Sequence, residues 1–404
     1  MRKILAYFLR LMSSAILNKY QPKIVAVTGS VGKTSTKEAI WQVLKSKYLV
    51  RVSSGNYNTE IGVPLTIIGT ESGGRDVFKW LGIFLKALGL IFNTSKYPEV
   101  LILEMGADKP GDLEYLTLFI KPDISVVTAA GISHFEKFGS REAVIYEKSA
   151  IVRNLKKDGV AILNLDNPGS ASMRSLASDK VLTYGLQSSA DFYADNIRLE
   201  EDKELNLLMT VFSLHSKFGE NTVILEKALG EPMVYSSLAA VACAYTLGLT
   251  LKESSNALRA FQSAPGRLNL VAGVNGSRIL DDTYNAAPDS MVAAIKLLKE
   301  IPGTGRKIAI LGRMAELGSE TEAGHREVGK IVAKLKPDLL WVKDNEASMI
   351  SDEAVASGFP AENVKKFKDL NEIDTMLHSG DIILIKASRS EKFEKIVEKI
   401  ALKD

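Results

Sequence analysis

Short apolar runs alternate with longer amphipathic stretches from residue 23 onward. The runs have the length and composition of buried strands: they are KIVAVT (23–28), VLILE (100–104), ISVVT (124–128) and VAILNLD (160–166). Between such runs the apolar residues return at helical spacing, as at Ala39, Ile40, Val43 and Leu44. This alternation predicts a parallel sheet with crossover helices. Residues from about 181 to 227 predict short antiparallel strands, and residues 234–262 predict helix.

A second alternating series begins after residues 264–267, where Pro and Gly interrupt the helical pattern. Its predicted strands are SRILDD (277–282), RKIAIL (306–311), DLLWV (338–342) and DIILIK (381–386). Helical spacing returns near residues 288–300 and 323–335. The second half therefore predicts a smaller Rossmann-like domain.

Two further segments are apolar and basic but do not read as membrane spans. Residues 1–20 are interrupted by four Lys and Arg side chains and lack a small-residue cleavage site. Residues 77–92 carry two lysines and are too short to cross about 30 Å of hydrocarbon. Both predict amphipathic helices. One interpretation is that they pack on the domain, and the alternative is a membrane-surface patch, since Trp80 and several Phe accompany the lysines.

Composition narrows the functional classes. At 404 residues, with 46% apolar and 25% charged residues, two or three globular domains are expected. A net charge of +3 argues against a protein that binds nucleic acid by bulk charge. The single cysteine, Cys243, excludes a disulfide framework and a cysteine zinc site, and it suits a reducing cytoplasm. The histidines are too scattered for a histidine-only metal cluster; they are His134, His215, His325 and His378.

The segment TGSVGKT at residues 28–34 lies between a predicted strand and a predicted helix. A phosphate needs inward-pointing backbone N–H groups, a helix N-terminus and a cation, and this segment supplies all three. Gly29 and Gly32 permit the tight wrap, Lys33 is expected at the terminal phosphates, and the Thr34 hydroxyl is expected on Mg²⁺. Val27 stands where the strict pattern has Gly, so this is a variant phosphate loop. The alternative is a glycine turn that happens to precede a helix.

Polar residues stand at or just after the ends of the other predicted strands. Glu104 ends the second run, His134 follows the third, and Asn164 and Asp166 end the fourth. Because the carboxyl ends of parallel strands share one edge of the sheet, these groups are expected to converge on one crevice. A carboxylate beside a phosphate loop is a good Mg²⁺ ligand. The alternatives are a surface role for Glu104 and a loop hydrogen bond for His134.

These motifs, in this order, resemble the Mur ligase family over about residues 23–395. The first half contributes TGSVGKTST, GNYNTEIGVP (55–64), LEMGADKPGD (103–112), SHFEKFGS (133–140) and YEKSAI (146–151). The second half contributes APGRL (264–268), LDDTYNAAPDSM (280–291), GRMAELGSETEAGHREVG (312–329) and DIILIKASRS (381–390), which resemble the branch that adds D-alanyl-D-alanine.

The resemblance implies an α/β fold in which a P-loop parallel-sheet ATPase domain precedes a smaller Rossmann-like domain. The expected division is an N-terminal amphipathic helix at 1–22, a central ATP-binding domain at 23–263 and a C-terminal domain at 264–404. An apolar insertion is expected at about residues 71–98.

The implied activity is ATP-driven amide formation in cell-wall precursor synthesis. A carboxylate on a muramyl-peptide-type acceptor attacks the γ-phosphate, and an amino acid or dipeptide amine then attacks the acyl phosphate. On the family's pattern Lys33 contacts the γ-phosphate, while Thr34 and Glu104 hold one Mg²⁺. His134 matches a position that helps to hold a second metal ion. Lys148 matches a lysine that many members carbamylate, and a carbamate is an anion that can ligate Mg²⁺.

The remaining site residues also come from the resemblance. The ATP-binding loop comprises Gly29, Ser30, Val31, Gly32, Lys33, Thr34 and Ser35, and Asn164 is expected near the adenine. From the second domain, Arg267 reaches the nucleotide, and Asp282, Tyr284 and Asn285 close over ATP. Substrate positions are Asn56, Asn58 and Thr59 on the acceptor side, and Lys386, Ser388 and Arg389 on the amine side.

Several features depart from the family's pattern. The branch carries about 80 or more residues ahead of the phosphate loop for the UDP end of the acceptor, whereas some 22 residues precede the first strand here. Residues 230–236 replace a Gly-x-His-Asn-x-x-Asn run expected near the adenine. Arg313 replaces an Asp, and Ala387 replaces a Gly. We therefore expect altered base and amine contacts, and we keep a lipid-linked or other non-UDP acceptor as an alternative.

A sister ligase activity and two functions of other classes are the alternatives. A nucleotide-binding scaffold without catalysis would not need the intact set of predicted catalytic residues. Folylpolyglutamate synthesis is disfavoured because GKT stands where that branch has Gly-Lys-Gly-Ser. A regulatory GTPase is disfavoured because the sequence has no base-reading Asn-Lys-x-Asp segment.

Overall fold

The computed structural model describes residues 2–131, 135–177, 180–202, 204, 207–373 and 377–402. Their strands form two sheets, one of nine strands and one of six, and helices pack against both. This arrangement confirms the predicted α/β fold class with a large, mainly parallel sheet and a second, smaller sheet.

The first sheet has the strand order β2-β3-β1-β4-β5-β6-β7-β8-β9. Its strands are β1 (Lys23–Thr28), β2 (Val50–Val52), β3 (Val100–Glu104), β4 (Ile124–Val127), β5 (Val160–Asn164), β6 (Lys180–Gly185), β7 (Phe192–Asp202), β8 (Leu207–Ser216) and β9 (Gly219–Leu225). Pairing is parallel from β2 across to β7, and β7, β8 and β9 are antiparallel. The predicted antiparallel strands are therefore β7 to β9, whereas β6 extends the parallel part.

Helices cover both faces of this sheet. They are α1 (Arg2–Tyr20), α2 (Lys33–Leu44), α3 (Gly62–Ile68), α4 (Val77–Phe92), α5 (Asp112–Thr117), α6 (Phe135–Phe138), α7 (Arg141–Lys148), α8 (Ala150–Arg153), α9 (Pro168–Ala171), α10 (Glu231–Thr246) and α11 (Leu251–Leu258). Side chains alternate across a strand, so Val25 and Val27 join one apolar core with α2 and α10. Ile24 and Ala26 join the opposite core with α1, α3 and α4.

The second sheet has the order β10-β11-β15-β12-β13-β14. Its strands are β10 (Asn269–Ala272), β11 (Arg278–Asp282), β12 (Lys307–Leu311), β13 (Leu339–Lys343), β14 (Val364–Phe367) and β15 (Ile382–Lys386). Only β10 pairs antiparallel among these described strands. Its helices are α12 (Pro288–Glu300), α13 (Thr321–Leu335), α14 (Ser348–Ala356) and α15 (Glu394–Ile400). Apolar residues of α12 and α10 belong to one core, which joins the two domains.

The two apolar, basic segments are α1 and α4, and they pack on each other. Lys19 donates hydrogen bonds to the carbonyls of Leu90, Ile91 and Asn93 at 2.7–3.0 Å, which joins the C-terminal ends of the two helices. Leu9 and Ile16 of α1 are buried in the same core as Ile83 of α4, so the packing interpretation holds for one side of each helix. In the described part of the chain no helix has both the length and the apolar character needed to cross a membrane.

Candidate active site

The carboxyl ends of the central parallel strands open onto a cavity of about 1390 Å³ between the two domains. Polar groups from the ends of β1, β3 and β5 line one side, and residues that follow β11 and end β15 line the other. This is the crevice that the sheet topology predicts. Most of the predicted site residues lie there.

The phosphate loop is held in shape by the neighbouring strand ends. Thr28 donates to the Met105 carbonyl at 2.7 Å, and Thr128 donates to the Val31 carbonyl. The Ser30 hydroxyl accepts the Gly131 N–H at 3.1 Å. A Cβ on Gly29 would lie 1.9 Å from the Thr128 hydroxyl oxygen, so a side chain at this position would collide with the residue that follows β4.

The loop ends where α2 begins, and this places a helix N-terminus at the cavity. Gly32 has φ of +81°, in the left-handed region that favours glycine, and Lys33 is the first helical residue. The first N–H groups of a helix have no partner within the helix, and the helix dipole favours an anion there. Ser30 to Thr36 line the cavity, so this end of α2 can bind phosphate.

Lys33 lies in the cavity wall with its ammonium folded back on the loop. Its Nζ donates to the Gly29 carbonyl at 2.6 Å. Burial lowers the pKa of Lys33 from its ordinary value, the Glu104 carboxylate opposes this shift, and the Arg267 cation adds to it. A phosphate chain in the cavity would supply the anion that favours the charged form of Lys33.

Glu104 and Thr34 meet directly. The Thr34 hydroxyl donates to Glu104 Oε2 at 3.1 Å, and Asn58 Nδ2 donates to Oε1 at 3.1 Å. The carboxylate is buried at the end of β3. Mg²⁺ in nucleotide sites takes one or two protein oxygens together with phosphate oxygens and water. The Thr34 hydroxyl and the Glu104 carboxylate fit that donor set.

Lys37 supports the site from behind the cavity wall, and the sequence analysis missed it. Its side chain is fully buried, and its Nζ donates to the Ser53 carbonyl at 2.8 Å. The same ammonium lies 3.2 Å from Glu38 and 3.7 Å from Glu104. The only signal in the sequence was a lysine one helical turn after Lys33, and a lysine at that place is ordinarily solvated.

Lys148 is buried at the end of α7, with 3% of its surface exposed. Burial lowers its pKa to about 7, the nearby Lys33 cation acts in the same direction, and the Glu147 and Asp108 carboxylates oppose it. The neighbouring Glu147 carboxylate is engaged, because it accepts the N–H groups of Gly111 and Leu113 at 2.8 and 2.7 Å. Lys148 is not among the described residues that line the cavity. His134 lies outside the described residues.

The acceptor-side residues lie beside Glu104. Asn58 and Thr59 line the cavity, and Asn58 contacts Glu104 as given above. Asn56 contributes its backbone carbonyl, which accepts the Asn58 N–H at 2.8 Å. Thr59 accepts the Gly62 N–H at 3.4 Å near the start of α3.

Asn164 and Asp166 shape the far end of the cavity. Asn164 Nδ2 donates to the Thr128 carbonyl at 3.0 Å, and its Oδ1 accepts the Asp166 N–H at 3.0 Å, so this amide ties β4 to the end of β5. Asp166 Oδ2 accepts the Tyr235 hydroxyl at 2.8 Å, while Oδ1 is buried and has no hydrogen-bond partner among the described residues. Tyr235 belongs to the run that replaces the family's adenine-side residues, so it is a second residue that the sequence analysis missed.

Arg267 joins the second domain to the phosphate loop. Its guanidinium donates to the Thr34 hydroxyl at 3.3 Å and lies 4.1 Å from the centre of the Tyr284 ring. The Arg267 N–H donates to Asn269 Oδ1 at 3.1 Å, which fixes the backbone after the Pro-Gly segment. Arg267, which the resemblance predicts to reach the nucleotide, thus contacts the phosphate loop from the second domain.

Asp282 and Lys386 form one buried ion pair. Lys386 Nζ lies 2.5 Å from Asp282 Oδ2 and donates to the Asn285 carbonyl at 2.9 Å. Burial lowers the pKa of Lys386 from its ordinary value, and the Asp282 carboxylate opposes that shift. The resemblance assigns these residues to different substrates, but the sheet register sets Asp282 directly beside Lys386.

Ser388 and Arg389 lie next to this pair. The Ser388 hydroxyl accepts the Ala315 N–H at 2.8 Å. The Arg389 side chain is 63% exposed, and its guanidinium lies 5.7 Å from the Tyr284 ring centre. Arg313, which departs from the family's pattern, pairs with the buried Glu391 at 2.6 Å. Its positive charge is therefore balanced within the domain.

Comparison with known proteins agrees with this geometry. Residues 27–78 and 85–244 match the Mur ligase middle domain, and residues 266–389 match the domain described as Mur ligase, glutamate ligase domain. The UDP-N-acetylmuramoyl-tripeptide–D-alanyl-D-alanine ligase of Bacillus subtilis is 31% identical over 394 residues, which are 96% of this chain and 78% of that protein. The ligase of the same name from Escherichia coli is 30% identical, with 93% and 76% covered.

Solved structures of Mur ligases also resemble this chain. MurF from Acinetobacter baumannii superposes with a TM-score of 0.81 at 27% identity and covers 98% of this chain and 80% of its own. The MurF ligase of Thermotoga maritima in complex with ADP superposes with a TM-score of 0.80 at 28% identity and covers 97% and 82%. The sequence, the fold and the site geometry agree, and the chain belongs to the Mur ligase family of ATP-dependent enzymes that form carbon–nitrogen bonds.

Proposed function

We propose that this enzyme joins D-alanyl-D-alanine to a muramyl-tripeptide carboxylate at the expense of ATP. The relatives named above carry this activity in their names, and the chain shares 30–31% identity with two of them. The observation that carries the ATP-dependent chemistry is the contact of Arg267 with Thr34, because it closes the second domain over an intact phosphate loop; the two substrates rest on the relatives. A scaffold without catalysis would need neither this contact nor the buried Glu104.

The proposed reaction has two steps. A carboxylate oxygen of the acceptor attacks the γ-phosphorus of ATP, and the bond from that phosphorus to the β-phosphate oxygen breaks. ADP departs, and the acceptor becomes an acyl phosphate. The amine nitrogen then attacks the acyl carbon, inorganic phosphate leaves, and the amine loses a proton. Phosphoryl transfer depends chiefly on positioning and charge neutralisation. Lys33 and Arg267 supply positive charge from the two sides of the cavity, and domain closure excludes water from the acyl phosphate.

Mg²⁺ would be held by the Thr34 hydroxyl and the Glu104 carboxylate, and when bound it would neutralise charge on the β- and γ-phosphates. Asn58 orients Glu104 through its hydrogen bond to Oε1. Removing the Glu104 carboxylate by Glu104→Gln should therefore raise the Mg²⁺ concentration needed for half-maximal rate. Asn58→Ala is the matched positioning variant, and it should have the smaller effect because the carboxylate remains.

We further propose that Lys148 carries a carbamate in the active enzyme. The Lys148 ammonium first loses a proton, and the neutral amine then adds to carbon dioxide. A C–N bond forms and a second proton is released, so the two steps together turn a cation into an anion. Burial beside Lys33 supports this, since an anion there is attracted by the neighbouring ammonium while a second cation is repelled. Carbon-dioxide-free buffer should lower the rate, and added bicarbonate should restore it; Lys148→Arg should be inactive under both conditions.

The amine substrate is proposed to bind on the side of Lys386, Ser388 and Arg389, and the acceptor on the side of Asn56, Asn58 and Thr59.

The proposed division of the chain is an N-terminal helix at residues 1–22, a central domain at 23–263 and a C-terminal domain at 264–404. An insertion is proposed at about residues 71–98, and the match to the middle domain breaks between residues 78 and 85, inside that insertion.

We place the enzyme in the cytoplasm, with peripheral membrane contact through residues 1–20 and 77–92.

The decisive experiment supplies ATP, Mg²⁺, D-alanyl-D-alanine and either a UDP-linked or a lipid-linked muramyl tripeptide, and mass spectrometry follows the product. Addition of the dipeptide with ADP formation supports the proposal, and the productive acceptor selects between UDP and lipid linkage. Phosphate release at background with both acceptors, while a nucleotide still binds, would instead support the scaffold. A matched reaction with Lys33→Ala controls for contaminating ligase.

A further inference from the structure

Helices α1 and α4 leave one side of each uncovered. The exposed apolar residues of α4 recur three and four positions apart, so they form one stripe along the helix. Phe78 is 84% exposed, Leu85 61% and Phe92 79%. We call the two stripes together the docking face; it comprises Ile4, Phe8 and Leu11 on α1, and Phe78, Leu81, Leu85, Leu88 and Phe92 on α4.

The docking face is held in place by the fold beneath it. Asp76 caps the start of α4 by accepting the N–H groups of Phe78 and Lys79 at 2.9 and 3.2 Å. Ile83 and Ala87 bury the opposite side of α4 in the core. Lys19 fixes the C-terminal end of α4 through its three hydrogen bonds. The apolar stripe is therefore presented by a well-anchored helix.

The charged residues within the two helices of the docking face all have one sign, and Asp76, the cap of α4, precedes them. Helices α1 and α4 contain six Lys and Arg residues and no Asp or Glu, although the whole chain carries 51 basic and 48 acidic residues. Lys3 and Lys79 are exposed beside the apolar stripes. A basic helix surface with Phe, Trp and Leu on its apolar side is typical of helices that lie in a membrane interface.

We propose that the docking face binds the surface of a bilayer that contains anionic lipids. The Phe and Leu side chains enter the boundary between headgroups and acyl chains, and Lys3 and Lys79 approach the lipid phosphates. A second copy of the chain is disfavoured as the occupant, because an isologous contact would bring like charges together. Neither helix crosses the bilayer, so the contact is peripheral.

The docking face and the catalytic cavity share a helix. Arg2, Lys3, Ala6 and Tyr7, in the first two turns of α1, line the cavity. Phe8 and Leu11, which follow directly on the same helix, belong to the docking face. A docked enzyme therefore keeps one wall of its cavity at the membrane surface.

Vesicle co-sedimentation of the full chain tests the proposal. Vesicles of phosphatidylcholine alone are compared with vesicles that contain about 30% phosphatidylglycerol, which carries the negative surface potential. The test variant is Phe78→Ser/Leu85→Ser/Phe92→Ser. The matched control is Val355→Ser/Leu402→Ser, which removes exposed apolar side chains from the other domain. Thermal unfolding of each variant checks that it is folded.

We expect the chain to sediment with anionic vesicles and the triple variant to lose about tenfold or more in partition, while the control sediments normally. Lys79→Gln should lower binding to the anionic vesicles by about fivefold and leave binding to phosphatidylcholine vesicles unchanged. One lysine near an anionic surface contributes about 1 kcal/mol, which corresponds to that factor. ATP-dependent ligation of soluble substrates should be unchanged in the triple variant, which separates this test from that of the proposed ligase function.

Three results would overturn the proposal. The first is wild-type protein that stays in the supernatant with anionic vesicles. The second is a triple variant that sediments as the wild type does. The third is a wild-type protein that is a dimer by sedimentation velocity and does not bind vesicles, while the triple variant is a monomer. The docking face would then bind a second copy of the chain.

Discussion

Arg267 is the residue whose removal should separate catalysis most clearly from folding. Its guanidinium contacts the Thr34 hydroxyl at 3.3 Å and the Tyr284 ring at 4.1 Å, so it links the second domain to the phosphate loop. Arg267→Ala removes this link and one positive charge from the cavity. We expect a large loss of turnover with folding nearly intact.

The size of the effect follows from the two contacts. A hydrogen bond from a charged donor contributes about 1.5–3 kcal/mol, and a cation–π contact contributes about 0.5–2 kcal/mol. If both are made only in the closed, reacting state, their loss raises the barrier by about 2–5 kcal/mol. Each 1.36 kcal/mol is about tenfold in rate, so turnover should fall roughly 30- to 5,000-fold.

The assay is ADP release with saturating substrates, together with urea unfolding of the same preparations. Arg278→Ala is the matched control, since Arg278 pairs with Glu201 of the first domain at 3.3 Å but lies outside the cavity lining. That variant should keep its turnover within about threefold. Normal turnover in Arg267→Ala would refute closure through this contact. An equal loss in Arg278→Ala would show that general adhesion between the domains, and not the contact with the loop, controls the rate.

Three further substitutions test the architecture of the site. Gly29→Ala should abolish nucleotide binding in a calorimetric titration, because its Cβ would lie 1.9 Å from the Thr128 hydroxyl; retained affinity would contradict this packing. Lys37→Met should lower the unfolding free energy by about 1–3 kcal/mol, since the buried Ser53 carbonyl loses its donor. An unchanged urea midpoint would show that this hydrogen bond does not stabilise the fold. Asp282→Asn should cost about 3–5 kcal/mol by leaving the Lys386 ammonium buried without its carboxylate, and Asp282→Leu/Lys386→Met should recover most of that loss.

The sequence predicts the sheets well where strands are buried on both faces. The runs that became β1, β3, β4 and β5 are continuous apolar stretches, which is the pattern of a central parallel strand. The strands β2, β10 and β14 were missed. They lie at sheet edges, β2 in the first sheet and β10 and β14 in the second, and they are mostly half-exposed, so their sequences carry no continuous apolar run.

Site features formed by neighbouring residues could be predicted from the sequence, whereas contacts between residues far apart in the chain could not. The phosphate loop could be predicted because its residues are contiguous, and Glu104 because it ends a strand. The contact of Arg267 with Thr34 joins residues 233 positions apart, and only the resemblance pointed to it. The Asp166–Tyr235 contact joins residues 69 apart, and no pattern marked it, because a lone tyrosine at the start of a helix is ordinarily a packing residue.

The pair of Asp282 and Lys386 shows why register matters for function. These residues are 104 positions apart, yet β11 and β15 are adjacent parallel strands that set them side by side. Lys386 already donates to Asp282 and to the Asn285 carbonyl, so most of its charge is committed within the protein. The carboxylate of a dipeptide substrate therefore needs another cation. Arg389 is exposed near the same strand end, and its ion pair with Glu394 is long, at 3.7 Å, and lies at the surface, where such pairs are weak. Arg389→Ala should therefore raise the dipeptide KM more than it lowers kcat, whereas unchanged KM would place that carboxylate elsewhere.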